Sequence, residues 1–219
     1  MIPPSRTRSL PNLTCTVLLV SAVMLTPAQA APIVDQSFTS GSDLGASIND
    51  CCVFVAQTFT AGLTGTLAGV NIDVLGFDPA LFPLDVAIRT VSGNVPTATV
   101  LSEVTLGSGT SLLSDFIAFP NVIDVVAGTS YAIVVNYDGA PAPGPGMAQG
   151  LWSGATGDLY PAGGLFFSFS DGVSWFGDAG NDTHFRTYVD SSRVPEPGSL
   201  VLLVAGLVGI FGLRRIRQP

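Results

Sequence analysis

The middle of the chain alternates apolar and polar residues with the two-residue period of a β-strand. In the clearest segment Val70, Ile72 and Val74 alternate with Asn71 and Asp73, so that one face is apolar and the other polar. Similar strand patterns cover 54–60, 86–89, 100–106, 116–119, 122–126, 131–137, 165–169 and 185–189. No stretch of this region has a convincing helical period, and the pattern therefore predicts strands throughout.

Turn signals rich in glycine separate the predicted strands. They lie at Gly62, Gly65, 76–79, Gly93-Asn94, 107–109, Gly128 and Asp171-Gly172. Roughly nine to eleven short strands at this spacing are typical of β-sandwiches and barrels. We therefore predict an all-β fold, an antiparallel β-sandwich with jelly-roll-like connections. The proline-rich segment 140–146 is predicted to be a long exposed loop within it.

The first thirty residues have the three parts of a cleavable secretion signal. Arg6 and Arg8 form a basic start, 17–25 is a short apolar run, and Ala28 and Ala30 form an Ala-x-Ala cleavage site. The apolar run is too short to span a bilayer permanently. The sequence therefore predicts a signal peptide over 1–30 that is cleaved after Ala30.

The opposite end combines an extended motif, an apolar segment and a basic tail. Pro195, Glu196 and Pro197 precede the apolar residues 200–213, and arginines follow within 214–217. A basic cluster after an apolar segment stays cytoplasmic, which is the pattern of a stop-transfer helix. A helix from Ser199 to Leu213 would be about 22 Å long, shorter than the roughly 30 Å hydrocarbon core. We therefore predict a single transmembrane helix that serves as a temporary anchor.

This end resembles the PEP-CTERM sorting signal, in which a Pro-Glu-Pro motif, a glycine-rich apolar helix and an arginine cluster follow one another. The resemblance implies that the secretion machinery and an exosortase, a membrane protease, handle the protein. It implies that Pro195, Glu196 and Pro197 are recognition residues for that protease. It also implies passage through the inner membrane, transient anchoring, and release at the cell surface or into an exopolysaccharide matrix. An ordinary anchor that is never cut is the alternative.

Between a signal peptide over 1–30 and a sorting signal over 194–219, the predicted domain over 31–193 is strongly acidic. It contains fifteen Asp and Glu, three Arg and no Lys, which leaves a net charge of −12. Such a surface repels phosphate backbones and anionic headgroups, so nucleic-acid partners and electrostatic membrane binding are not expected. The charge suits a soluble secreted protein or one that gathers cations.

The predicted domain has two adjacent cysteines, Cys51 and Cys52. An exported protein reaches an oxidising environment, which permits a disulfide bond. Adjacent cysteines, however, can form one only through a strained ring. A vicinal disulfide, reduced thiols and pairing between chains all stay open.

Residues 56–74 resemble the opening of small choice-of-anchor domains, and 169–175 and 182–185 fit the same resemblance. These domains occur in surface proteins that are attached by interchangeable C-terminal signals. The resemblance implies a surface role and no particular activity.

Few residues of the predicted domain have the chemistry of a catalytic site. The one histidine, His184, follows Asp182 by two residues, but no GxSxG nucleophile motif accompanies the pair. One His and two adjacent Cys do not make a tetrahedral zinc site. No pair of carboxylates is singled out for glycoside hydrolysis, and Glu103 is expected on a solvated strand face. We therefore predict no catalytic residue and no enzyme, with a secreted hydrolase as a distant alternative.

Calcium is the best candidate among metal ions. Asp171, Asp178, Asn181 and Asp182 lie in one glycine-rich stretch, and loop carboxylates are ligands that calcium takes. The alternative, which the residue types favour, is that these carboxylates are solvated turn residues. The expectation is no cofactor, with calcium at Asp171, Asp178 and Asp182 as the weaker hypothesis.

Aromatic residues cluster in the last third of the chain. Rings on one face can stack on sugars, and Trp152 and Trp175 are the best candidates for such a ligand platform. The interpretation that the sequence favours is that Trp175 and the phenylalanines fill the sandwich core, and the ligand platform is the weaker hypothesis. The residues of the cluster are Trp152, Tyr160, Phe166, Phe167, Trp175 and Phe176.

Two classes of function follow from the sequence. The first is a structural or adhesive component of the exopolysaccharide or biofilm matrix, without a small-molecule site. The second is a carbohydrate-binding module, with calcium as a possible stabiliser. Buried rings at Trp152 and Trp175 favour the first class, and exposed rings favour the second.

Overall fold

The computed structural model describes residues 31–49, 54–76, 83–107, 116–137, 148–178 and 180–190. Within these ranges no helix has the length and apolarity needed to cross a membrane. The predicted division of the chain at 30/31 and 193/194 stays a prediction. Several predicted features lie outside the described residues: the signal peptide with Ala28 and Ala30, Cys51 and Cys52, the loop 140–146, and the sorting signal with its predicted transmembrane helix over 194–219.

The described part of the chain is all-β. Its strands pair only in antiparallel fashion, and none of these residues forms a helix. The prediction of an all-β, antiparallel fold is confirmed. The strands are β1 (Ile33–Phe38), β2 (Leu44–Asn49), β3 (Phe54–Thr60), β4 (Gly65–Ile72), β5 (Val74–Leu75), β6 (Leu84–Ser92), β7 (Val95–Leu106), β8 (Ile117–Ala118), β9 (Asp124–Val125), β10 (Ser130–Tyr137), β11 (Ala148–Thr156), β12 (Gly164–Ser168), β13 (Phe176–Asp178), β14 (Asn181–Thr183) and β15 (Phe185–Asp190).

The strands form three sheets. A six-stranded sheet has the order β13-β12-β3-β10-β6-β7. A second sheet has the order β1-β15-β4-β8, with β9 also paired to β4. The third has the order β14-β11-β2, with β5 also paired to β11. A single residue separates β4 from β5 and β14 from β15, so the second and third sheets are joined along two continuous stretches of chain.

The main core lies among the inner faces of the three sheets. The six-stranded sheet contributes Phe59, Ile88 and Ile133, while Phe185 and Trp152 come from the other two sheets, and all five are buried. A fully buried side chain of this size contributes roughly 1.5–3 kcal/mol relative to an exposed one. The apolar residues at alternate positions of the sequence therefore form the stabilising core.

The six-stranded sheet also has a second apolar cluster on its opposite face, here called the outer face. It consists of Ala56, Ala87, Ala132 and Val134, with Phe54, Val91, Phe166 and Trp175 packed against it. The half-buried pattern predicted for 86–89 is therefore wrong, because Ala87 and Arg89 are buried as well as Val86 and Ile88. The physical reason is that other segments cover both faces of this sheet.

Most predicted strands lie where the alternation places them. The predicted strand at 54–60 is β3, and β4, β10, β12 and β15 also cover their predicted segments. The segments 116–119 and 122–126 contain only the two-residue strands β8 and β9. Strands β1, β2, β13 and β14 had no predicted counterpart.

Candidate functional site

A polar cleft of about 350 Å³ opens on the outer face of the six-stranded sheet. Thr58 and Thr60 of β3 and Ser130 of β10 line its sheet side. Cavities of this size are typical of ligand sites. The surrounding walls come from Val91, Asn94, Asp158, 161–166 and the described residues of 177–182.

Asp182 lies at the inner end of this cleft and is almost completely buried. Its Oδ1 accepts a hydrogen bond from the Nε2 of Gln57 at 3.0 Å. Its Oδ2 accepts from the backbone N–H groups of Leu159 and Tyr160, at 3.1 Å and 2.9 Å. Both carboxylate oxygens therefore accept hydrogen bonds from protein donors. These hydrogen bonds hold the 158–163 segment against the sheet.

Gln57 is the buried partner of Asp182. Its Oε1 accepts from the backbone N–H of Thr183 at 2.8 Å and from the Thr183 hydroxyl at 3.2 Å. Because a buried polar group without a partner costs about 1–3 kcal/mol, this complete set of bonds stabilises the link between β3 and β14. The role of Gln57 and Asp182 is to shape the cleft.

Tyr160 fixes the same segment from the other side. Its hydroxyl donates to the Oε1 of Gln36 at 2.9 Å, and its ring packs edge-on against Phe185 with centroids 5.1 Å apart. Burial raises the pKa of Tyr160 to about 12. The phenol is therefore neutral at physiological pH and serves as a hydrogen-bond donor.

His184 pairs with Asp73 and not with Asp182. Its Nδ1 lies 3.4 Å from Oδ2 of Asp73, and its Nε2 lies 3.3 Å from the carbonyl oxygen of Ser40. Asp182 and His184, which follow each other by two residues in the sequence, therefore do not form a pair, because Asp182 is turned towards Gln57. An open pocket of about 280 Å³ lies beside the Asp73–His184 pair.

Asp73 and His184 occupy the single-residue breaks at which the second and third sheets join. The backbone N–H of Ser153 donates to the carbonyl of Asp73 at 2.8 Å, and the Ser153 carbonyl accepts from the N–H of His184 at 2.7 Å. Ser153 thus connects both breaks through its backbone. This arrangement gives the histidine a structural position at the junction of the sheets.

Of the residues named for the weaker calcium hypothesis, Asp178, Asn181 and Asp182 line the cleft and Asp171 does not. Asp171 and Gly172 have φ values of 53° and 72°, in a turn closed by the bond from Val173 N–H to the Ser170 carbonyl at 3.0 Å. Asp178 accepts from the amide of Asn181 at 2.8 Å. Among the residues that the structure describes, no group of three or more His, Cys, Asp and Glu side chains could hold a metal ion. Asp171 therefore has a backbone role in its turn.

Trp152 lies in the main core with 0% of its surface exposed, and its Nε1 donates to the carbonyl of His184 at 2.8 Å. A ring without solvent exposure cannot stack on a sugar, so the weaker hypothesis of a ligand platform at Trp152 and Trp175 fails for Trp152. The physical reason is that β11 directs this large ring into the space between the sheets, where it excludes water.

Replacing Trp152 with Phe is expected to lower the free energy of unfolding by about 2 kcal/mol. The smaller ring leaves a cavity, and the His184 carbonyl loses its donor. Urea denaturation of the variant and the wild type measures this difference. The control is Phe176→Leu, at a ring that is 62% exposed, which should change stability by less than about 0.5 kcal/mol. Equal losses in both variants would contradict the assignment of Trp152 to the core.

Trp175 is half-buried and packs on Arg89. The guanidinium carbon of Arg89 lies 6.0 Å from the Trp175 ring centroid and 5.4 Å from that of Phe54, within the range of cation–π attraction. Burial lowers the pKa of Arg89, and the charge of Glu103 opposes this shift. Glu103 itself is exposed on β7, as predicted. Trp175 therefore belongs to the packing of the outer face.

The most exposed aromatic pair of the described residues is Phe169 and Phe176, of which the aromatic cluster named from the sequence contains only Phe176. Each ring is 62% exposed, and their centroids lie 6.1 Å apart. The signal that could have found Phe169 is its place beside the Asp171-Gly172 turn, since turn tips face solvent. The cleft residues Asn94 and Ser130 were also missed, because they come from segments that are distant in the sequence.

Comparison with known proteins bears on the C-terminal end of the chain. A family model for the PEP-CTERM protein-sorting motif matches residues 193–217. No curated protein matches the chain. The matched residues contain Pro195, Glu196 and Pro197, and the motif implies export, processing by an exosortase and transient membrane anchoring before surface display. The resemblance at this end is confirmed: the chain carries a PEP-CTERM protein-sorting motif at residues 193–217.

Proposed function

We propose that the domain over 31–193 is a structural or adhesive component of an exopolysaccharide matrix outside the cell. We interpret its three sheets as a jelly-roll-like β-sandwich, with the six-stranded sheet facing the two joined sheets. The sorting motif at 193–217 supports the route to the surface. The proposal concerns what the domain does after it has arrived there.

The complete burial of Trp152 is the observation that carries this proposal. Because Trp152 is buried, it cannot contribute to a sugar-binding platform, and the hypothesis of such a platform needed both Trp152 and Trp175. The other groups with catalytic chemistry have structural partners: Asp182 binds Gln57, and His184 lies beside Asp73. This arrangement supports a load-bearing or adhesive protein that is not an enzyme.

The acidic surface is consistent with such a role. A net charge of −12 over 31–193 keeps individual molecules soluble and apart during export. In a matrix, many tethered copies can act together through weak contacts, because multivalency increases the overall avidity without a strong single site. The proposed role therefore needs only modest affinity in each domain.

A strain without the gene is expected to retain less exopolysaccharide on its cells after controlled shear than the wild type. Expression of the full chain should restore retention, and expression of a chain with Pro195, Glu196 and Pro197 changed to alanine should not. Carbohydrate assay of the washed cells and the supernatant measures the distribution. Unchanged retention in the deletion strain would contradict the matrix role. Release of reducing sugars from the matrix by the purified protein would instead indicate a hydrolase.

A further inference from the structure

We propose that the cleft on the outer face binds a sugar unit that is neutral or carries an amino group, and that it excludes uronic acids. This inference rests on the proposed matrix function and assigns a ligand class to the domain. It uses residues other than the predicted pair Trp152 and Trp175.

The shape of the cleft is held by groups that are already satisfied. Both oxygens of Asp182 accept hydrogen bonds from protein donors, which fixes the turn at 158–160. The Thr58 hydroxyl accepts from the N–H of Gly164 at 2.9 Å and so ties β12 to β3. The cavity of about 350 Å³ is therefore formed in advance of binding, which reduces the entropic cost of taking up a ligand.

The hydroxyls on the sheet side of the cleft have a defined polarity. The Thr60 hydroxyl lies 2.9 Å from the carbonyl of Ala162, which can only accept, so Thr60 donates there. The Ser130 hydroxyl, 3.0 Å from Thr60 Oγ1, must then donate to Thr60. With its proton used in this bond, the Ser130 hydroxyl can only accept a further hydrogen bond from a ligand. Thr60 and Ser130 thus offer lone pairs, and not protons, to a ligand.

The rim of the cleft adds further acceptors. Asp158 is exposed, and Asp178 accepts through its Oδ2 from the amide of Asn181. Arg, Lys and His are absent from the described lining residues. These acceptors call for donors on the ligand, as sugar hydroxyls and ammonium groups supply them, and the side-chain amide of Asn94 can pair with a sugar hydroxyl in either direction. A uronic acid would bring its carboxylate beside those of Asp158 and Asp178 without a compensating cation, and this repulsion disfavours it.

The same cleft offers apolar surface to the C–H faces of a sugar ring. Val91, Pro161 and Phe166 line it from both sides. A combination of an apolar wall with a few hydrogen-bonding groups is typical of ligand pockets. A bare inorganic cation would use the carboxylates and leave this wall without a function, so the lining favours a sugar.

The test is isothermal titration of the protein purified from the surface fraction of the producing cells. The three probes are hexasaccharides of glucosamine, glucose and galacturonic acid. We expect binding of the glucosamine and glucose probes, stronger for glucosamine, and no binding of the galacturonic acid probe. Asp158→Asn combined with Asp178→Asn should weaken glucosamine binding by about tenfold or more, since hydrogen bonds to charged groups contribute that much.

The matched control is Asp171→Asn. It removes a similar surface charge outside the cleft, and Asn tolerates the positive φ of this position. It should leave the affinity for the glucosamine probe unchanged. An equal loss in the control, binding of the galacturonic acid probe, or no binding of any probe would each overturn the proposal. If oligosaccharide binding is absent but the deletion strain still loses its matrix, this inference fails while the proposed matrix function stands.

Discussion

Replacement of Pro195, Glu196 and Pro197 with alanine is expected to leave the protein unprocessed and held in the membrane. The variant keeps the apolar residues 200–213 and the arginines that follow, so insertion should proceed as in the wild type. It lacks the motif that an exosortase recognises. The protein should therefore accumulate as a precursor at the inner membrane, with nearly complete loss from the surface and the medium.

Fractionation of the cells followed by intact-mass measurement distinguishes the two forms. The control changes Ser191 and Ser192 to alanine, immediately before the matched segment 193–217, and should be processed normally. Release of the triple variant in wild-type amounts would mean that Pro195, Glu196 and Pro197 serve only as a linker.

Replacement of Asp182 with Ala is expected to lower the free energy of unfolding by about 3 kcal/mol or more. The change leaves the Tyr160 N–H without its acceptor. It also removes one of the two acceptors of the Gln57 side-chain amide and of the Leu159 N–H, which otherwise bind the carbonyls of Thr58 and Gly157. Each unsatisfied buried donor costs about 1–3 kcal/mol. Because small domains have a total stability of about 5–15 kcal/mol, the loss should be evident in urea denaturation and in the thermal midpoint.

Two further variants make this measurement specific. Asp158→Ala removes an exposed carboxylate from the same segment and should change stability by less than about 0.5 kcal/mol. Asp182→Asn keeps one acceptor oxygen and should lose an intermediate amount, about 1–2 kcal/mol. If Asp182→Ala were no more destabilising than Asp158→Ala, the buried carboxylate would have no structural importance.

The alternation of apolar and polar residues in the sequence was enough to predict the strands that form the main core. Phe185, Thr187 and Val189 repeat at every second position, and β15 buries all three. The same reasoning gave the wrong environment for Arg89, because a single strand pattern does not show that Phe54 and Trp175 cover the second face. Burial on both faces depends on segments that are distant in the sequence.

Strand β14 shows why the glycine-rich last third was harder to interpret. The residue types of Asn181–Thr183 favour a turn, but in the structure these residues pair with β11. Gly154 lies opposite Thr183, and a Cβ at Gly154 would collide with the backbone oxygen of Asp182. The glycine that suggests a loop in the sequence is thus what lets two strands approach closely.

The cleft could not be predicted from local patterns because its parts meet only in the folded chain. Gln57 and Asp182 are 125 positions apart in the sequence, and nothing in the sequence around either residue indicates that the two form a hydrogen bond. The burial of Trp152 was left open for a similar reason, since the environment of an aromatic residue among glycines depends on packing partners that are distant in the sequence. The sorting motif at 193–217 was predictable because it is recognised from the linear order of its residues alone.

The pairing of β1 with β15 has a mechanical consequence. It brings the two ends of the domain together, since Ile33 lies opposite Val189. On its other side β15 is held by β4, from Asp190 opposite Thr66 to Phe185 opposite Ile72. Tension applied at the C-terminal end of β15 acts along the strand, while its hydrogen bonds run perpendicular to it. The bonds to both neighbours are therefore loaded together in shear, and the strand resists extraction more strongly than if its bonds opened one at a time.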